Sequence, residues 1–125
     1  MLGRRRRWLL IAVVCAGLLA LAWGQANLCD RFVKTALSGD TAAAIQMTTF
    51  PDTEYVRQSV REDAGGSLHG GGRVSGVPIP TVGAPIGMWW IVPVESRDGR
   101  AAGAIRCAVV VTSRGLRVAA VGGGH

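Results

Sequence analysis

Residues 4–29 read RRRRWLLIAVVCAGLLALAWGQANLC, in which four arginines run directly into an apolar stretch from Trp8 to Trp23. As a helix this stretch rises about 1.5 Å per residue, so alone it is too short for a hydrocarbon core of roughly 30 Å. Residues 24–28 extend it to about twenty residues, and we predict a membrane helix over residues 8–28. Because basic residues stay on the cytoplasmic side, the N-terminus is predicted to be cytoplasmic and the C-terminal domain extracytoplasmic.

A cleaved secretory signal peptide is the alternative for this segment. It too has a basic start and an apolar centre, and small residues precede cleavage sites at residues 20–22 (ALA) and 24–26 (GQA). We favour a retained single-pass anchor, because the apolar run is long for a signal and ends in the bulky Trp23. Residues 1–26 are then the basic tip with the anchor or signal. Residues 27–125 form a domain at the cell membrane, or a secreted or periplasmic one after cleavage.

The charge of the chain is concentrated at its start. The formal net charge is +6, but Arg4–Arg7 supply four of the fourteen basic residues, so the domain is nearly balanced. Its arginines are scattered and not interleaved with aromatic residues, and we therefore expect no nucleic-acid binding. Residues 27–125 leave room for one modest core.

Three helices are predicted after the anchor. Apolar residues recur at four-residue spacing over residues 27–38, which is typical of a helix with one buried side. Gly39 ends that helix and Asp40 caps a second, alanine-rich one. A third helix is predicted to begin with Asp52 as its N-cap and to stop at residues 65–66.

The rest of the chain reads as strands. GMWWIVPVES (87–96), AAGAIRCAVVVT (101–112) and LRVAAV (116–121) flank turns at Asp98-Gly99 and Arg114-Gly115, which predicts an antiparallel meander. A weaker strand is predicted over residues 68–77, followed by a proline-rich loop over residues 78–85. Pro93 should lie at an edge or bulge, because it cannot donate to a ladder. Helices followed by an antiparallel sheet predict an α+β domain.

The stretch CDRFVKTALSGDTAAAIQMTT (29–49), with its third helix and its meander, resembles the NTF2-like (cystatin-like) superfamily. It is similar in particular to small membrane-anchored or exported bacterial members of unknown function. The resemblance spans roughly residues 27–121 and implies helices packed on the meander as a cone. Members of that superfamily range from isomerases and dehydratases to non-catalytic adaptors, so the fold does not assign a function.

Few polar residues are placed for chemistry. Tyr55 and Arg106 could line a cavity of such a cone, but a core-filling tyrosine with an exposed hydroxyl and a solvated arginine are the simpler interpretations. Asp40 is assigned to its helix cap. His69 lies in the glycine-rich loop GGSLHGGGRVSG (65–76), which lacks the nucleophile elbow and the strand-turn-helix unit of known loops of this kind. His69 and His125 lack partners at ligand spacing, and we expect no metal site and no cofactor.

Two residue pairs remain as candidates. Trp89 and Trp90 are adjacent in a predicted strand, so one should enter the core and the other should face outward as a candidate interface residue. Cys29 and Cys107 should both point into the helix–sheet interface, and we predict a disulfide between them in an oxidising compartment. Cys15 lies in the apolar run and should stay a free thiol.

These features predict a membrane-tethered extracytoplasmic interaction domain without evident catalytic activity. Its partners would be the membrane, through residues 8–28, and an envelope protein, to which it would be an accessory. The first alternative is an exported NTF2-like protein that binds a small ligand in the cone. The second is an NTF2-like isomerase or hydrolase, which would require Tyr55, Asp40, His69 or Arg106 to converge.

Overall fold

The computed structural model describes residues 2–65, 72–83 and 87–124 and has an α+β architecture. The strands form one antiparallel sheet that curls into a half-barrel, and the second half of the first helix packs across one face of it. The predicted class is therefore confirmed. The described elements, in chain order, are α1 (Leu2–Leu37), α2 (Thr41–Gln46), α3 (Glu54–Gly65), β1 (Gly72–Val74), β2 (Ile79–Gly83), β3 (Gly87–Ser96), β4 (Ala102–Thr112) and β5 (Gly115–Gly124).

The first helix joins the predicted anchor to the predicted first domain helix. It is uninterrupted over 36 residues, and the isolated Gly24 does not break it. The side chains of residues 3–20 are all exposed, whereas from Ala22 onward one side of the helix packs against the core. The described residues thus hold three helices in all, where the sequence predicted an anchor followed by three more.

The second helix begins as predicted. Gly39 adopts a φ of +92°, which reverses the chain after α1 in a conformation that favours glycine. The Asp40 side chain then accepts a hydrogen bond from the Ala43 N–H at 3.2 Å and caps α2.

The third helix begins differently from the prediction. Thr53 caps it, because its Oγ1 accepts a hydrogen bond from the Val56 N–H at 3.2 Å. Asp52, the predicted N-cap, instead forms an ion pair with Arg57 at 2.7 Å. The hydrogen bond from that guanidinium lowers the pKa of the Asp52 carboxyl.

The sheet order is β1-β3-β4-β5, and β2 pairs with β3 on the same side as β1. The three meander strands are confirmed, and both predicted turns place a glycine at positive φ, Gly99 at +72° and Gly115 at +98°. The predicted strand over residues 68–77 is reduced to β1 among the described residues. The prediction of a loop over residues 78–85 is wrong, since β2 lies there.

Pro93 lies in an inner strand, opposite the segment that links β1 to β2. Its carbonyl accepts a hydrogen bond from the Ser75 N–H at 2.9 Å, so its missing N–H faces the same irregular link. A Cβ at Gly76 would lie 3.2 Å from the Pro93 ring. The absence of a side chain at Gly76 therefore lets the link close over the proline.

The core lies between α1 and the sheet. Phe32, Cys29 and Val33 of α1 have no exposed surface, and neither do Val92 and Val118 of the strands. This burial confirms the apolar stripe that the spacing of residues 27–38 predicts. The helix side of the sheet is therefore closed, and features open to a partner must lie at its ends or on its other face.

Candidate functional site

Specific contacts join α1 to the sheet where the exposed part of the helix reaches it. The Trp90 indole N–H donates to the Gln25 side-chain oxygen at 3.1 Å, and only 5% of Trp90 is exposed. Gly24 precedes Gln25 in α1, and a Cβ added at this glycine would lie 3.1 Å from Leu116 Cδ1. Glycine thus allows α1 to approach β5 closely, and the helix is fixed to the sheet from this turn onward.

A groove runs beside this junction, between α1 and the link from β1 to β2. It encloses about 470 Å³ and is lined by Trp23, Asp30 and Lys34 on the helix side and by residues 74–78 on the strand side. Asp30 and Lys34 pair at 2.8 Å across one helical turn. The groove therefore offers apolar walls and one ion pair, and its volume falls in the range of small-molecule sites. We call it the α1 groove.

Large apolar side chains are exposed around the same junction. Val82 and Met88 are cross-strand partners at the ends of β2 and β3, and Val111 pairs with Leu116, which lies against Gly24. These positions surround the place where α1 leaves the domain. We call the set the apolar rim, and its members with their exposed fractions are Trp23 77%, Val82 92%, Met88 46% and Val111 70%.

The predicted cysteine pair meets in the core. Cys29 Sγ lies 3.9 Å from the carbonyl oxygen of Cys107, and both residues are fully buried. Contact with Cys29, together with burial, raises the pKa of the Cys107 thiol well above its usual value. No disulfide joins these cysteines in the structure, and Cys15 is exposed, so the bridge stays a prediction.

The adjacent tryptophans lie on opposite faces of β3. Trp90 faces α1, whereas Trp89 lies on the other face, opposite the fully buried Ala108 of β4. Trp89 is half-buried, and its indole nitrogen is buried with no hydrogen-bond partner among the described residues. Its role as an interface residue stays a prediction.

The two predicted cavity residues lie apart. Tyr55 is 81% exposed on α3, at the mouth of a cavity of about 190 Å³ that Phe50 and Val121 also line. Arg106 is exposed on the sheet face away from α1, opposite Ile91, and lines neither this cavity nor the α1 groove. The structure therefore does not join Tyr55 and Arg106 in one pocket.

The remaining candidates add no chemistry to this site. Asp40 is occupied as the cap of α2, while His69 and His125 lie outside the described residues. Within residues 2–65, 72–83 and 87–124, no group of three or more His, Cys, Asp or Glu side chains is placed to hold a metal ion.

Sequence reasoning missed Gln25, the α1 groove and the apolar rim. It placed Gln25 within the predicted membrane helix over residues 8–28, whereas the structure turns its side chain onto Trp90. The polar side chain of Gln25 at the end of an apolar run was the only sequence signal for this contact. Its partner Trp90 lies 65 residues away along the chain, so no local pattern connects the two residues. Val82 could not be identified because β2 was read as a loop.

Comparison of the chain with protein-family models, with curated proteins and with solved structures found no match.

Proposed function

We propose that this chain is a membrane-anchored interaction domain without evident catalytic activity. The first half of α1 crosses the membrane and is retained, and the α+β domain lies on the extracytoplasmic side. The observation that carries the proposal is the continuity of α1: its exposed apolar part runs without a break into the part that closes the core. The four arginines before the helix support the orientation.

The contacts of α1 speak against cleavage at either signal-like site. Cleavage after residue 26 would remove Gln25 and leave the buried Trp90 indole without its acceptor. It would also remove Ala22 and Ala26, which pack against the core. Cleavage after residue 22 would leave a domain that begins inside a helical turn, at the 77% exposed Trp23.

Intact mass of the full-length protein recovered from a membrane fraction tests the proposal. We expect the mass of the uncleaved chain and resistance to extraction by carbonate at high pH. A species that begins at Trp23 or Asn27, released into the soluble fraction, would show a signal peptide and overturn the proposal. Replacing Ala20 and Ala22 by leucine, which blocks recognition at the first site, should leave the mass and the localisation of the protein otherwise unchanged.

The interaction role rests on the sheet face that α1 leaves open. Trp89, Ile91 and Arg106 lie together on this face, with Trp89 and Ile91 only partly covered. Aromatic and arginine side chains are common anchors of protein interfaces. An envelope protein is the partner class we propose, with the anchor holding this face near the membrane. Crosslinking in native membranes from a photoreactive residue at position 106 tests it, with position 42 on α2 as the matched exposed control.

A second candidate function, binding of a small ligand, is favoured by the α1 groove. This groove replaces the NTF2-like cone as the proposed ligand site, and the NTF2-like kinship itself stays a proposal. Ser75→Trp should fill the groove without disturbing the core, since Ser75 is exposed. A ligand that raises the melting temperature of the wild-type protein but not of the Ser75→Trp variant would support this function.

A further inference from the structure

We infer that the apolar rim is a lipid-contact surface and that the domain sits partly embedded in the membrane interface instead of standing clear of it. The inference rests on the proposed membrane anchorage and adds a second contact to it, made by the folded domain.

The length of the free apolar helix is the first argument. The apolar residues that are exposed before α1 joins the domain run from Trp8 to Leu21. At about 1.5 Å per residue they span roughly 21 Å, which is well short of a hydrocarbon core of roughly 30 Å. The next residue, Ala22, already packs against the core of the domain. The missing depth must therefore come from a thinner bilayer or from the domain end that surrounds Ala22.

The chemistry of that end is the second argument. Val82 is 92% exposed and Val111 70% exposed, and both lie on the end of the sheet from which the helix departs. Contiguous exposed apolar groups are costly in water and mark contact with a partner or a membrane. Trp23 sits at the same level, and indoles favour the boundary between hydrocarbon and headgroups. If this end of the domain is embedded, lipid covers the rim, and the embedded end fills the part of the hydrocarbon core that the free helix is too short to cross.

Positive charge at the same end of the sheet is the third argument, because it can pair with lipid phosphates. Arg114 is exposed in the turn between β4 and β5, three residues after Val111, and Arg117 follows on β5. With Val111 at the level of the acyl chains, the long side chain of Arg114 reaches outward to lipid phosphates. The Arg117 guanidinium is partly buried and donates to the Leu116 carbonyl at 2.8 Å. The carboxylates of Glu95 and Asp98 lie at the opposite end of β3, away from the rim.

The edge of the sheet beside Val82 is poorly suited to pairing with a strand of another protein, which favours lipid as the contact of the rim. Pro78 and Pro80 lie in and beside the edge strand β2 and remove two backbone donors from the edge. Prolines on an edge strand block the addition of a further strand. The apolar side chains of the rim thus remain available while the backbone beside them is closed to pairing.

Depth measurements on the full chain test the inference. Single cysteines are placed at Val82, Val111 and, as a control, Arg97 in the exposed turn at the far end of β3. The background is Cys15→Ala, in which the two other native cysteines are buried. Each variant is labelled with an environment-sensitive fluorophore and reconstituted in nanodiscs of phosphatidylcholine and phosphatidylglycerol. We expect nitroxide-labelled lipid to quench the probes at 82 and 111 strongly and iodide to quench only the probe at 97.

The possible results separate the inference from the proposed function. If the chain reconstitutes and all three probes are quenched by iodide alone, the domain stands clear of the membrane and only the inference fails. If the probes at 82 and 111 are protected from both quenchers, protein covers the rim, and the inference again fails. A chain that does not stay in nanodiscs at all contradicts the anchorage itself.

A charge variant checks that the contact depends on the rim. Val82→Asp should reduce the lipid quenching of the probe at 111, because a carboxylate opposes entry into the interface. Tyr55→Asp, at a position on α3 that is 81% exposed against 92% for Val82, should leave that quenching unchanged. Equal quenching in Val82→Asp and wild type would overturn the rim as the contact surface.

Discussion

The indole N–H of Trp90 donates to the side-chain oxygen of Gln25 at 3.1 Å, and this bond joins the third strand to the turn of α1 that leaves the domain. Trp90 is 5% exposed, so little water can replace the acceptor if Gln25 is lost. The bond gives the domain a structural need for residues that a signal peptidase would remove. The exposed apolar part of α1 and the core therefore share one helical turn.

Gln25→Ala should lower the free energy of unfolding of the domain by about 1 kcal/mol, because the buried indole donor loses its partner. A change of that size shifts the melting temperature of a domain of this length by roughly 4–8 °C. Circular dichroism of the full chain in detergent measures it. Asn27→Ala removes a carboxamide from the exposed side of the same helix and should change the melting temperature little. Equal shifts for both variants would contradict a specific role of the bond.

Trp90→Ala should reduce the stability of the domain, whereas Trp89→Ala should reduce its association with a partner. Trp90 fills the helix–sheet core, so its truncation should cost about 3–5 kcal/mol and unfold much of the population. Trp89 is half-buried on the open face, and its truncation should leave a folded domain with weaker association. Urea unfolding measures the first effect and crosslinking yield in membranes the second. If both variants unfold alike and neither changes crosslinking, Trp89 is a packing residue and not an interface residue.

Local patterns predicted the elements that carry strong periodic signals. The four-residue stripe of Phe32 and Val33 marked the buried side of α1, and the glycines at positions 99 and 115 marked the turns of the meander. These features depend on a few neighbouring residues, which is why the sequence reveals them. β2 was missed because its prolines argue against a strand, and only pairing with β3 stabilises it there.

The candidate site was less accessible to sequence reasoning. Its parts come from residues far apart in the chain, as with Gln25 and Trp90, or Gly24 and Leu116. A glycine inside an apolar helix is ordinary in sequence and becomes informative only when a strand lies against it. The contact between Cys29 and Cys107 was predictable because each residue belongs to a local apolar pattern, the stripe of α1 and the alternating face of β4. Both patterns indicate burial in the helix–sheet interface.

Cys29 and Cys107 are predicted to form a disulfide in the protein isolated from cells. The bridge would close a loop between residues 78 positions apart, and loops of this size are stabilised by about 4 kcal/mol on the chain-entropy model. Alkylation under denaturing, non-reducing conditions followed by mass measurement tests it. The expected product carries one label, on Cys15. Labels on all three cysteines would show that the two core cysteines remain thiols in the cell.

The reduced protein should lose stability at alkaline pH. Because the folded state raises the pKa of Cys107, the unfolded chain gives up this proton first, near the usual thiol pKa of about 8.5. Below that pH both states hold the proton, and the stability does not depend on this group. Above it the free energy of unfolding should fall, by at most about 1.4 kcal/mol per pH unit for one proton. Urea unfolding between about pH 7.5 and 9.5 (one unit either side of that value) measures it, and Cys107→Ala should remove this slope.

Gly24→Leu is expected to loosen the docking of α1, because even a Cβ at this position lies 3.1 Å from Leu116 Cδ1. Overpacking of this kind costs about 1–3 kcal/mol. Gly17→Leu is the matched control, since it lies in the same helix with nothing within 4 Å of a Cβ. Both variants gain the same helix propensity, so the difference between their melting temperatures reports the contact with β5. A Gly24→Leu variant that melts as high as Gly17→Leu would show that α1 does not need the close approach, and its docking at this turn would then rest on the Gln25–Trp90 bond and on the packing of Ala22 and Ala26.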